Sequence, residues 1–243
     1  MNDAQILTVR PEPGEYAWTF GGVPPVARTA PGTVLDRARR TARFSARDSD
    51  FTVELPMDPM HGTIGVAPAN LEVRSALVPD AHGGNMDTPE MRAGVTCYLG
   101  VNVEGAQLSL GDRHARQGEG EACGAAVECA MNTVVIVELL KGISTPWPRI
   151  ESDTHITSTG SARPLEDAFR ISQLDLVQWL VRDYGFNELD AYQFATQTVE
   201  SPLANVWDTN YTCVAKIRKE WLPARETHRG LHARLRETAT SLS

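Results

Sequence analysis

The chain has 243 residues, 42% of them hydrophobic and 22% charged, enough for a sizeable core in one large domain or two small ones. Its net charge of −8, from 23 basic and 31 acidic residues, argues against nucleic acid or a membrane surface as partner, since both attract a positive face. Its four cysteines, none in a CxxC pair, are too sparse for a disulfide framework, and no apolar run is long enough to cross a bilayer or to form a signal peptide, so a reduced, cytoplasmic protein is expected.

Residues 1–35 are punctuated by proline and glycine and hold short alternating pieces such as YAWTF (16–20), which predicts strands and turns. FTVELPM (51–57), TIGVAP (63–68) and LEVRSALVP (71–79) each read as short strands. In VTCYLGVNVEG (95–105), Val95, Cys97, Leu99, Val101 and Val103 share one face of a predicted strand. AQLSLGD (106–112) continues into another strand. CAMNTVVIVELLKG (129–142) is β-branched at its centre and predicts a buried strand, and ESDTHITSTGS (151–161) an edge strand and turn.

The pattern changes after Pro164. Leu174, Val177, Leu180, Val181 and Tyr184 recur at helical spacing, and Gly185 is a stop signal. Asn187 followed by Asp190 predicts an N-cap and a second helix to about residue 198. YTCVAKI (211–217) returns to strand alternation, and the charged tail from 223 is helical or frayed. The expectation is a mainly β (α+β) fold in a single domain, 1–243. It divides into N-terminal strands (1–35), a strand-rich sandwich or barrel-like body (36–162), a two-helix insertion (163–200), and a C-terminal strand and tail (201–243).

Three polar clusters sit beside glycines at predicted strand ends: DPMHGTIG (58–65), DAHGGNMD (80–87) and GDRHARQGEGE (111–121). Glycine lets the backbone approach a ligand, and strand-end loops on a rigid scaffold commonly carry binding groups. His, Asp, Glu and Asn are the donors that hard or borderline divalent ions accept. Asp112 and His114, two apart, share a face if extended, and so do Glu119 and Glu121. On spacing alone, turns with local side-chain to backbone bonds explain such clusters more often than a metal does. His61, His155, His228 and His232 read individually as surface or packing residues. Cys123, in GEGEACG, is a candidate nucleophile for a thiol amidase, against the commoner role of a small packed residue.

PMHGTIGVAPA (59–69), HGGNMD (82–87), VNVEGAQLSLGDRHARQGEGE (101–121) and AVECAMNTVVIVELLKG (126–142) together resemble the acetamidase/formamidase family. YAWTFGGVPPVARTAPGTVL (16–35) resembles its opening strands, and residues 165–217 its C-terminal portion. The resemblance implies metal-dependent hydrolysis of short linear amides to ammonia and a carboxylate, a bound divalent metal (zinc, calcium or both), a small-molecule amide as partner, and a homo-oligomer. By motif position it implies His82, Asn85, Asp87, Asp112, His114, Gln117 and Glu121 as site residues, and within that set we assign His82, Asp87, Asp112 and His114 as metal ligands. Glu121 is then the general base, and Asn85 or Gln117 hydrogen-bonds the amide or its oxyanion. The sequence departs from the family pattern in three places. Arg113 stands where glycine is usual, and Gln107 where leucine is usual. A section that the family carries beyond the P-G-x-x-V turn is absent between about Leu35 and Asp36. That absence leaves a second reading open, a catalytically impaired member acting as a binding protein.

Overall fold

The computed structural model describes the backbone of residues 5–8 and residues 33–241 in full. In chain order the strands are β1 (Gln5–Thr8), β2 (Thr33–Asp36), β3 (Thr41–Ser45), β4 (Thr52–Pro56), β5 (Met60–Gly65), β6 (Gly83–Asn85), β7 (Thr96–Tyr98), β8 (Ser109–His114), β9 (Val134–Val137), β10 (Arg149–Glu151) and β11 (His155–Ala162). Helices α1 (Leu165–Trp179) and α2 (Glu188–Thr198) follow, then β12 (Leu203–Asn205), β13 (Tyr211–Arg218) and helix α3 (Leu231–Ser241). The fold is mainly β, as expected, with the two helices where the periodicity placed them. YAWTF (16–20) lies outside the described residues.

The pairings described are all antiparallel and build four sheets, ordered β1-β9, β2-β3-β4, β6-β5-β8 and β12-β13-β11-β10-β7. Helix α1 lies across β11 and β13 of the five-stranded sheet. Leu176, Trp179 and Leu180 of the helical segment pack there with Ile156, Ala215 and Ile217 of the sheet, all fully buried. The buried stripe of α1 also includes Ala168, Ser172 and Asp175, while Leu174, taken from periodicity as part of it, is 59% exposed. Asp175 takes the inner place because the Arg149 guanidinium grips its carboxylate, through Nε at 2.8 Å and Nη2 at 2.9 Å, and Ser158 Oγ donates to it at 2.5 Å. An apolar count cannot foresee that. Glu166 and Asp167 in the first turn suit the positive end of the helix dipole. The helical segment ends at Gly185, whose φ of +76° is the left-handed region that glycine enters without penalty. Asn187 caps α2 as expected, its Oδ1 accepting the Asp190 N–H at 2.9 Å.

Several expectations are corrected. Residues 155–162 form β11, a central strand between β13 and β10, not an edge. Its hydroxyls make that burial tolerable: Ser158 bonds Asp175, Thr159 donates to Pro148 O, and Ser161 pairs with Thr212. The strand at 134–137 is not a buried core strand. Among the described residues it pairs only with β1, and a two-stranded ribbon leaves Val134 and Val137 well exposed. Residues 71–79 form no strand, and Leu71, Val73 and Leu77 face solvent. Residues 95–105 contribute only Thr96–Tyr98. No helix among the described residues is long and apolar enough to cross a membrane.

Removing one partner of a buried, hydrogen-bonded ion pair strands the other, at a cost of about 3–5 kcal/mol. Asp175→Ala is therefore expected to lower the urea-unfolding free energy by about that much, since Arg149 and Asp175 are 1% and 2% exposed.

Candidate active site

The three-stranded sheet β6-β5-β8 assembles the two polar motifs. β5 is its middle strand, pairing Thr63 with Asn85 on one side and Met60 with His114 on the other. The HGGN and GD-x-H stretches, far apart in sequence, thus flank one strand. Gly62 lies on β5 between the His61–Arg113 and Thr63–Gly111 pairs, and its carbonyl accepts the Asp87 N–H at 3.0 Å. A Cβ at Gly62 would run into Asp87 Oδ1 and come within 2.5 Å of Asp112 Oδ2. The absent side chain is the space in which the two carboxylates meet.

Asp87 has no exposed surface. Its Oδ2 accepts from Asn85 Nδ2 and from Asn205 Nδ2, each at 2.5 Å. Its Oδ1 is buried and has no hydrogen-bond partner among the described residues. Asp112 and Glu121 lie within hydrogen-bond reach of the Asp87 carboxyl and pair with it only while one member of the pair carries a proton. Burial, reinforced by repulsion from Glu121, Asp112 and Asp208, raises Asp87 well above the usual carboxylate range.

His114 is 1% exposed. Gln117 settles its tautomer. The Gln117 amide nitrogen donates to Asp87 O at 2.5 Å and to Ala204 O at 3.1 Å, so its Oε1 must face His114 Nδ1, 2.8 Å away, and accept a hydrogen bond from it. His114 Nε2 then points at acids: Asp112 Oδ1 at 3.2 Å, Glu128 Oε1 at 3.3 Å and Glu121 Oε1 at 4.0 Å. Burial opposes a charged ring, but Asp112, Glu128 and Gln117 outweigh it and lift His114 to about 9. The same pairing holds Asp112 below its usual range against the effect of burial. Burial, with repulsion from Asp112 and Glu128 and only partial relief from His114, brings Glu121 up to about 7. Donor atoms of Asp87, Asp112 and His114 lie within 4.8 Å of one another, and so do those of His114, Glu121 and Glu128. Asp87, Asp112 and Glu121 all adopt left-handed backbone, with φ of +46°, +49° and +42°. Non-glycine residues rarely do so, and such strain tends to collect at functional sites.

The structure therefore brings together Asn85, Asp87, Asp112, His114, Gln117 and Glu121. It does not bring His82 to them. His82 is buried among Asp80, Arg74 and Glu72, and burial lowers its pKa. Gln117 and Asn85 also have a different employment from the one expected. The Gln117 amide spends its hydrogens on two backbone carbonyls. The Asn85 amide nitrogen donates to Asp87 and to Asp208, at 2.7 Å, while its oxygen accepts from Thr63 Oγ1. Neither keeps a free donor for an oxyanion. Arg113 does not occupy the strained position; Asp112 does, and Arg113 donates to Met131 O at 3.0 Å. Cys123 is exposed, its Sγ donating to Ala125 O at 3.2 Å. His61 is satisfied as a packing residue by Gly111 O and Thr133 Oγ1. Glu128, Asn205 and Asp208 were not foreseen. Only Glu128 carried a signal, inside the AVECAMN stretch; Asn205 and Asp208 lie beyond both motifs. A cavity of about 300 Å³ elsewhere, walled by Tyr98, Leu140 and His228, contains none of the cluster.

Three acids on strained backbone, one of them near neutrality, around an oriented imidazole form a constellation that can move protons and has the donors to hold a cation. The chain belongs to the Acetamidase/Formamidase family, whose model matches residues 60–218. It is 34% identical over 134 residues to an acetamidase of Mycolicibacterium smegmatis (51% of this chain, 31% of the relative). It is 28% identical over 178 residues to a formamidase of Methylophilus methylotrophus (64% of this chain, 42% of the relative). The crystal structure of an acetamidase from Yersinia enterocolitica superposes with a TM-score of 0.72 at 43% identity, covering 77% of this chain and 55% of that one. An acetamidase from Bacillus halodurans gives a TM-score of 0.68 at 29% identity, covering 75% and 60%. The chain thus spans less than half the length of these curated relatives and little more than half of these solved structures.

Two outcomes are expected. Gly62→Ala overpacks the carboxylate pocket and should lower stability by about 1–3 kcal/mol, whereas Gly111→Ala, whose Cβ would meet nothing within 4 Å, should leave the urea midpoint unchanged. In cation-free protein the charged His114 binds its proton more tightly folded than unfolded. Its contribution is complete below 6.5 and lost as pH rises through about 9. Unfolding free energies of wild type and His114→Gln should converge over that window.

Proposed function

We propose that the chain hydrolyses the C–N bond of short linear amides of the formamide and acetamide type, giving ammonia and a carboxylate, at a divalent-cation site. One observation carries the cation: the wholly buried Asp87 keeps Oδ1 unpartnered beside Asp112 and His114. A buried carboxyl ringed by other carboxylates calls for positive charge, a proton or a cation, and a divalent cation answers Asp87, Asp112 and their neighbours at once. Asp87, Asp112 and His114 would hold the ion, with His114 presenting Nε2 because Gln117 occupies Nδ1. One nitrogen and several carboxylate oxygens suit zinc, and the acid-rich surroundings also admit calcium. Bound there, the ion supplies Lewis-acid chemistry, polarising a carbonyl and acidifying water. The amide as substrate is supported by the family and by the relatives named acetamidase and formamidase.

The chain's own residues account for the proton traffic. Glu121, raised to about 7 by burial, is poised to exchange a proton near neutral pH. It takes the proton of the water that attacks the amide carbon. It then returns that proton to the nitrogen as the C–N bond breaks, so that one amide and one water give one carboxylic acid and one ammonia. Glu128, also raised by burial, lies 3.3 Å from His114 Nε2, on the side that would face the ion.

The test is ammonia release from formamide and acetamide, lost with a chelator and restored by zinc or calcium. Glu121→Gln is expected to lower kcat by about 10²–10⁴-fold. The value of about 7 belongs to the cation-free site; a bound cation's charge lowers it, so in metal-replete wild type kcat/KM should rise with pH through a midpoint below 7 as Glu121 loses its proton. Metal-replete, folded protein that releases no ammonia would overturn the proposal.

A further inference from the structure

Asp87 is held by a closed ring of hydrogen bonds. The amide nitrogen of Asn85 gives one hydrogen to Asp87 Oδ2 at 2.5 Å and the other to Asp208 Oδ2 at 2.7 Å. The amide nitrogen of Asn205 does the same, at 2.5 and 2.9 Å. Each amide therefore bridges two carboxylates. The amide orientations are not interchangeable, because both oxygens are independently engaged. Asn85 Oδ1 accepts from Thr63 Oγ1, and Asn205 Oδ1 accepts the backbone N–H groups of Trp207 at 2.7 Å and Asp208 at 3.0 Å. A wrong amide orientation would set oxygen against oxygen at four places.

The consequence falls on Asp87. Both donors that reach its carboxylate are spent on Oδ2, and Oδ1 is left buried and bare on the side of Gly62, Asp112 and His114. With two donors fixing one oxygen, the carboxylate cannot rotate without breaking both bonds. Asn205 itself is wholly buried, 118 residues from Asp87, at the end of β12. β12 pairs with β13, so the five-stranded sheet is what carries this amide to the site.

We infer that Asn205 is a positioning residue: by bridging Asp87 and Asp208 it holds Asp87 Oδ2 aside and presents Oδ1 to a divalent cation. This rests on the cation reading above. Asp208 acts with it, absorbing the second hydrogen of each amide so that neither turns away from Asp87.

The experiment is titration of metal-stripped protein with zinc chloride, and separately with calcium chloride, by calorimetry, with bound metal counted by mass spectrometry. Wild type should bind. Asn205→Ala should weaken binding by about 10–100-fold, the range seen when a ligand loses its outer hydrogen-bond partner. In an Asp87→Ala background the same substitution should cause no further loss, because Asn205 acts through Asp87. If Asn205→Ala lacks the wild-type circular dichroism, Asn205→Asp is read in the same way. It keeps the acceptor for the Trp207 and Asp208 N–H groups and sets an anionic oxygen against Asp87 and Asp208 in place of the donor, which breaks the bridge. Wild-type affinity in the Asn205 variants, or a full additional loss on top of Asp87→Ala, overturns the inference while leaving the cation site standing. A wild type that binds neither ion removes both.

Discussion

A carboxylate taken wholly out of water is the constraint around which the site is arranged. Burying the charge of Asp87 is unfavourable by several kcal/mol unless its oxygens are answered. The structure answers one of them twice, with Asn85 and Asn205, and leaves the other open. Much else follows from that asymmetry. Gly62 is glycine because a Cβ would fill the gap in which Oδ1 lies. Asp208 faces Asn85 and Asn205 because each amide has a second hydrogen to place. The backbone turns left-handed at Asp87, Asp112 and Glu121, and surrounding contacts must sustain that strain.

His114 shows the same logic at a base. An imidazole with 1% exposure could be left neutral by burial alone. The Gln117 oxygen on one ring nitrogen and acids around the other reverse that tendency. A proton or a cation at Nε2 meets the same electrostatic demand, so the two compete for it. Glu121 stands at the edge of this field, relieved only in part by His114, which is why its pKa lies near neutrality.

The sheets that carry these groups were legible to different degrees. Helix α2 and its cap were written in Asn187 and Asp190, because capping is decided within four residues. β13 was legible from alternation, and β8 only as a continuation of the stretch before it. β11 was misplaced to an edge because its threonines and serines look like surface residues. What makes it central is that Pro148 O and Asp175 accept from Thr159 and Ser158, and Thr212 pairs with Ser161, all from other parts of the chain. The predicted strand at 71–79 failed for the opposite reason: its apolar side chains found no face to cover them, and β propensity alone does not order a segment.

The sequence by itself determined the mainly β class, the two helices near the C-terminus and the two glycine-framed motifs that carry Asn85, Asp87, Asp112, His114, Gln117 and Glu121. These are local properties: periodicity, capping and the grouping of polar residues with glycine within a few positions. Only the tertiary structure decided that His82 stands apart, that Asn85 and Gln117 hold other side chains in place, and that Glu128, Asn205 and Asp208 belong to the site. Those facts depend on which atoms meet across β5 and on an amide brought in by β12 from 118 residues away. Hydrogen-bond partnership is a property of distance and angle in space, and spacing along the chain does not encode it.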